Sequence, residues 1–159
     1  MSLGIDEGDI LYMQETRLTG TETAEQLLNQ SALLGAISIT NVLRQTAKTG
    51  NLPHAVPQAG TPSYCTTIKK EDGLINWNDS AEKIDAQIRA YTPWPGCFTY
   101  ANGQTLKILK ARDALKIAVQ DNSIKKNTDL APGTVIEFNK QRGILIQTGD
   151  GVLIATELQ

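Results

Sequence analysis

The chain has 159 residues and a formal net charge of −2, enough for one ordinary domain or two small ones. That charge excludes a basic, whole-surface nucleic-acid binder, though not a local basic face. No apolar run approaches the length of a membrane span, no apolar core follows a basic start as in a secretory signal, and two widely separated cysteines, Cys65 and Cys97, lack metal or redox spacing; the expected setting is reducing and cytoplasmic.

Residues 1–3 read as a start added by cloning and are set apart from the fold. In Gly4-Ile5-Asp6-Glu7-Gly8-Asp9-Ile10 two glycines bracket acids, a pattern of tight loops in which Asp6 and Asp9 serve as turn acids. A strand is expected over 10–18. Residues 21–49 form the one long helical segment. Thr23 and Gln26 have capping-box spacing, and Leu27, Leu28, Leu34, Ile37, Val42 and Leu43 give a broad apolar face. Gly35 is placed to kink or split that helix, and Gly50 to end it. Residues 51–67 carry Pro53, Pro57, Pro62 and Gly60 with few large apolar side chains, the composition of a linker. The domain boundary is expected there, between 4–50 and 68–159. His54, the only histidine, reads as a surface residue of that linker.

Residues 73–77 are short and apolar, and Asp79 or Ser80 caps the helix that follows. Ala81, Ile84, Ile88 and Tyr91 recur at helical spacing and face a core. Arg89 lies off that stripe near the C-terminal end, where a cation complements the helix dipole; phosphate contact is the sharper alternative. The helix must end at about Tyr91, because Thr92-Pro93-Trp94-Pro95-Gly96 follows. Each proline fixes its own φ and holds the preceding residue extended, while Gly96 can take a left-handed angle. The segment is a rigid elbow, and its indole, Trp94, is expected to plug the core as corner tryptophans do.

Beyond the elbow the pattern is one of short strands. Asn102-Gly103 is a hairpin signal between 98–101 and 104–110, with Leu106 and Ile108 on one face and Lys107 on the other. Further strands are expected over 115–119, 134–138, 144–148 and 152–158, with a polar loop over 121–129. Five or six short strands with glycine turns and one preceding helix suggest a small barrel.

Ile75-Asn76-Trp77, Ile88-Arg89-Ala90 and Thr92-Pro93-Trp94-Pro95-Gly96-Cys97 together resemble a motif of the C-terminal domain of methionyl-tRNA formyltransferases, I-D-W, then I-R-A, then N-P-W-P-G-A. Asn76 and Cys97 are small departures. Gly133-Thr134-Val135-Ile136 and Thr148-Gly149-Asp150-Gly151-Val152 are similar to that domain's closing strands, and Gly4 to Ile10 resembles the family loop D-x-G-x-D-x-G-[DP]-I. The resemblance runs from Gly4 onward and covers about half of the family's enzyme.

It implies an α+β chain: a residual strand and long helix of a Rossmann-like formyltransferase domain, then a helix and a small OB-like β-barrel. It also implies 10-formyltetrahydrofolate as co-substrate, no metal, and initiator methionyl-tRNA as partner. Asp6 falls on the family's catalytic aspartate, with Gly4, Ile5 and Asp6 on the cofactor side. Acyl transfer to an amine needs an oxyanion stabilised and an ammonium proton removed, and the family's carboxylate does this with an Asn and a His. Those two residues and the folate-binding segment lie earlier in the family and have no counterpart here, so the chain by itself is expected not to transfer formyl groups. Candidate tRNA contacts are Arg89, Lys107, Lys110, Arg112, Lys125, Lys126, Lys140 and Arg142. From Thr99 onward, eight basic residues (counting Lys116) stand against six acidic ones, a mild local excess.

Two alternatives remain open from sequence. Sugar-amine formyltransferases and formyltetrahydrofolate dehydrogenases share the aspartate loop and a related C-terminal domain. An independent OB-like module binding nucleic acid or sugar needs neither that loop nor the long helix. Residues 10–50 should expose apolar surface and favour self-association.

Overall fold

The structure is a computed structural model that describes residues 4–113 and 130–159. The expected strand at 115–119, the loop at 121–129, Lys116, Lys125 and Lys126 lie outside the described residues. The chain divides into two compact units, one of residues up to Thr19 with Gln26–Thr66, the other of Gly20–Glu25 with Thr67–Gln159.

In the first unit, α1 runs without interruption over Ala24–Thr49, beginning one residue after the proposed cap, Thr23. Gly35 therefore does not split it; Ser38 and Thr40 lie within the same run, their hydroxyls donating to the carbonyls of Leu34 and Ala36. Gly50 takes φ 74° and its amide bonds the Thr46 carbonyl at 2.8 Å, closing the last turn. Only Val42 on this helix is buried; Leu28, Leu33, Ile37 and Leu43 are exposed. The strand expected over 10–18 is reduced to a single antiparallel bridge between Ile10 and Val56. A strand needs a ladder of backbone partners, and among the described residues Val56 alone offers one.

The second unit is built on a sheet. Its strands are β1 Cys97–Ala101, β2 Gln104–Asp113, β3 Val135–Asn139, β4 Gly143–Gln147 and β5 Val152–Leu158. They form one five-stranded antiparallel sheet in the order β1-β2-β5-β4-β3. No pairing closes β1 onto β3 among the described residues. The Asn102-Gly103 turn takes φ of 51° and 79°, as a tight two-residue hairpin requires.

Helix α2 spans Ala81–Tyr91 and is capped by Ser80, whose hydroxyl accepts from the Lys83 amide. Its inner face carries Ala81, Ile84 and Ile88, packed against Cys97, Ile108 and Leu153 of the sheet, with Tyr91 at the margin. The helical stripe read from the sequence is thus the one that builds the core. β5 is buried on both faces: Leu153 and Ala155 join the helix-side core, while Val152 and Ile154 pack with Leu145 on the other side.

The elbow at 92–96 differs from expectation in one respect. Thr92 is extended, both X–Pro bonds flanking Trp94 are cis, and Gly96 takes φ 78°. Trp94, however, is 63% exposed and does not plug the core. The space beneath the elbow is already occupied. Gly73, at the end of a short 3₁₀ turn (Lys70–Gly73), sits against the Gly96 carbonyl so closely that a Cβ there has no room. The other tryptophan, Trp77, does pack against the core, its indole N–H donating to the Thr99 hydroxyl at 3.0 Å.

Candidate functional site

The proposed tRNA contacts separate into groups. Arg89, Lys110 and Arg112 line one groove of about 280 Å³ in the second unit, together with Thr23, Thr92 and Thr156. Lys110 and Arg112 are two residues apart on β2, whose register shifts on either side of Lys110, and both line this groove. Arg89 arrives from the last turn of α2. Lys107 lines a different depression, with Lys70. Lys140 and Arg142 sit exposed on the turn between β3 and β4, where the Asn139 side-chain oxygen accepts from the amides of Gln141 and Arg142.

The three groove cations are not equivalent. Arg89 is largely buried and committed within the fold. Its Nε bonds Asp85 Oδ2 at 3.2 Å, and its Nη1 donates to the Glu22 carbonyl at 2.8 Å. Asp85 is itself 8% exposed, so Arg89 neutralises a buried carboxylate and ties residues 20–25 onto α2. Lys110 pairs with Glu157 at 2.6 Å across the sheet, and both side chains are well exposed; such a surface pair is weak and exchangeable. Arg112 is exposed, and no ion pair to it occurs among the described residues. The Thr92 and Thr156 hydroxyls in its wall already donate to the carbonyls of Ile88 and Lys110, so the groove can accept an anionic oxygen through Arg112 and Lys110, while Arg89 shapes its wall.

The loop at 4–10 lies in the first unit. Asp6 is exposed, with φ 60°. Its backbone carbonyl and that of Gly8 both accept from the Gln58 side-chain amide at 2.7 Å. Ile5 is fully presented to solvent at 92% exposure. The loop is therefore anchored by backbone bonding and leaves its carboxylate outward. By itself it supplies three exposed acids, Asp6, Glu7 and Asp9, and no enclosure for a folate ring system among the described residues. His54 is exposed, as its surroundings suggested. Among the described residues no cluster of three His, Cys, Asp or Glu could hold a metal ion, and no helix is long and apolar enough to cross a membrane.

The sequence reading missed an aromatic surface. Phe98 and Tyr100 project from β1 opposite Lys107 and Thr105 of β2, on the side away from the core. The signal was available: with Ile108 inward across an Asn-Gly hairpin, alternation forces Phe98 and Tyr100 outward. The tie between Glu22 and Arg89 had no such signal, because the two are 67 residues apart.

Helix-on-sheet packing, the elbow and the two-unit chain define a class. Residues 67–159 match the formyl transferase C-terminal domain, and the chain belongs to that family. It is 39% identical over 155 residues to a methionyl-tRNA formyltransferase of Treponema denticola, covering 97% of this chain and 46% of that protein. It is also 37% identical over 156 residues to the methionyl-tRNA formyltransferase of Treponema pallidum, covering 98% of this chain and 46% of the relative. The chain thus spans about half the length of these relatives. Among solved structures, a variant of HypX from Aquifex aeolicus superposes with a TM-score of 0.69 at 17% identity, over 99% of this chain and 26% of that one. HypX in complex with tetrahydrofolic acid gives 0.60 at 16% identity, over 99% and 25%. At these identities the likeness is one of fold.

Proposed function

We propose that this chain is the C-terminal half of a methionyl-tRNA formyltransferase that works in the cytoplasm. The whole enzyme would transfer a formyl group from 10-formyltetrahydrofolate to the amine of initiator methionyl-tRNA. In this reading Asp6 is the catalytic carboxylate of the parent, with Gly4 and Ile5 beside the folate. The second unit is an OB-like module that positions the tRNA. The chain alone would not catalyse transfer, since the Asn, the His and the folate-binding segment that the family resemblance calls for are not in it.

The observation that carries the tRNA role is the groove that exposed Arg112 and Lys110 line together. Phosphate contacts of this kind fix position without reading sequence, and their strength falls with salt as counterions are released.

The test is titration of the chain with initiator tRNA and with elongator methionine tRNA across a salt series. Salt-sensitive binding of both is expected, leaving discrimination to the other half of the enzyme. Arg112→Ala should weaken binding to both and lower the salt slope by about one. Arg89→Ala should instead lower thermal stability, because it strands the buried Asp85. No binding at low salt would remove the tRNA role and favour a sugar-amine substrate.

A further inference from the structure

The hairpin β1–β2 carries a second feature, distinct from the Arg112 groove. On its outer face Phe98 lies opposite Lys107 and Tyr100 opposite Thr105. The two rings meet edge to face, with centroids 5.8 Å apart and planes at 86°. Together with Lys70, Glu71 and the Pro95-Gly96 backbone they bound a depression of about 260 Å³. Tyr100 is 63% exposed although it is one of only four tyrosines in the chain.

Three properties of this depression point to one kind of occupant. Its floor is aromatic, and the edge-to-face contact fixes the two rings while leaving ring surface open to solvent. Its rim carries two cations, Lys70 and Lys107, against one acid, Glu71, so it favours an anion beside an apolar group. Its volume lies below the roughly 300–1,000 Å³ of ordinary small-molecule pockets, which suits a single planar ring entering from a longer ligand. A flat ring with an adjoining negative charge is a nucleotide within a strand.

We propose that this face is a subsite for one unpaired nucleobase of RNA, stacked on the exposed ring of Tyr100 and bordered by Phe98, with Lys107 and Lys70 holding the neighbouring phosphate. The subsite rests on the reading above only in taking RNA as the partner. Stacking on an aromatic face is tolerant of base identity, so it adds affinity for a single-stranded segment and carries little sequence preference. Lys107, one of the candidate contacts, then acts here rather than with Lys110 and Arg112.

The experiment is fluorescence anisotropy of labelled octauridylate against the whole chain, beside an RNA duplex of the same length. Tyr100→Ala should weaken octauridylate binding about tenfold, the effect of losing one base–aromatic stack, and leave duplex binding unchanged. Tyr100→Phe keeps the ring face and should bind as the parent does. Tyr100 is exposed, so both variants should melt with the unaltered chain. Equal octauridylate affinity in all three proteins overturns the subsite. So does equal loss in both variants, or no octauridylate affinity in the parent. Initiator tRNA titrated in parallel separates the two ideas. Binding of tRNA that ignores Tyr100, with no Tyr100 effect on octauridylate, sinks the subsite and leaves the proposed function standing. Octauridylate binding that depends on Tyr100, without tRNA binding, does the reverse.

Discussion

Cys97 has none of its surface exposed and begins β1 directly after the elbow. Burial disfavours the thiolate and pushes the thiol from its ordinary 9.0 up to about 11. The folded state therefore holds this proton more tightly than the unfolded one. Its contribution to stability is complete below about 9 and is lost as pH rises through about 11. Cys65, by contrast, is exposed. Treatment of the native chain with iodoacetamide at pH 8 should label Cys65 alone, and Cys97 should be labelled only after denaturation. Peptide mass spectrometry reads the outcome directly; early labelling of Cys97 would mean that the β1 end opens. The same residue shows how much chemistry a sequence can hide. Two distant cysteines excluded a metal site, but only the hairpin register placed one at the bottom of the core and left the other in solvent.

At the scale of elements, two glycines make opposite predictions. Gly73 meets the Gly96 carbonyl with no space for a Cβ, whereas Gly35 in α1 has nothing within 4 Å of where one would be. Gly73→Ala must push the 3₁₀ turn away from the elbow and should cost about 1–3 kcal/mol. Gly35→Ala removes a helix-interior glycine in open space and should stabilise by about 0.5–1 kcal/mol. Thermal melts of the two variants should shift in opposite directions. Elements with a repeating signal were legible in the sequence. The α2 stripe, its end at Tyr91, the Asn-Gly hairpin with its two strands and the three described strands after it lie close to where period and turn residues placed them. The failures involve partners from elsewhere in the chain. A strand at 10–18 has the right residues but finds only Val56 to pair with. Trp94 has the bulk to fill a corner, yet Gly73 already lies against the Gly96 carbonyl at the elbow. For the candidate groove, the cations were named from the sequence and their grouping was not. Which of Lys107, Lys110 and Arg112 lie near one another is set by the pleat and the bulges of β2 near Lys110.

For the whole molecule, α1 presents a row of large apolar side chains to solvent, Leu28, Leu33 and Leu43 each being more than half exposed. Contiguous apolar surface on a helix favours association. Light scattering over a concentration series should show mass rising toward a dimer, and replacing Leu28 and Leu33 with Gln should suppress it. A constant monomer mass at high concentration would remove this expectation. A domain boundary was expected in the proline-rich stretch 51–67, whose residues up to Thr66 group with the first compact unit, while the larger part of the second starts at Thr67. The grouping of Gly20–Glu25 with that second unit was not, because a six-residue polar segment before a helix carries no mark of where it will bond.

That grouping bears on how portable the second unit is. Its residues are not contiguous: the chain supplies six of them, leaves for forty-one, from Gln26 to Thr66, and then supplies the rest. A gene segment beginning at Thr67 would carry Arg89 away from the Glu22 carbonyl that it grips. The unit can therefore be moved intact, by fusion or by recombination, only together with the helix that interrupts it. In such a chain the long helix and the five-stranded sheet are inherited as one piece.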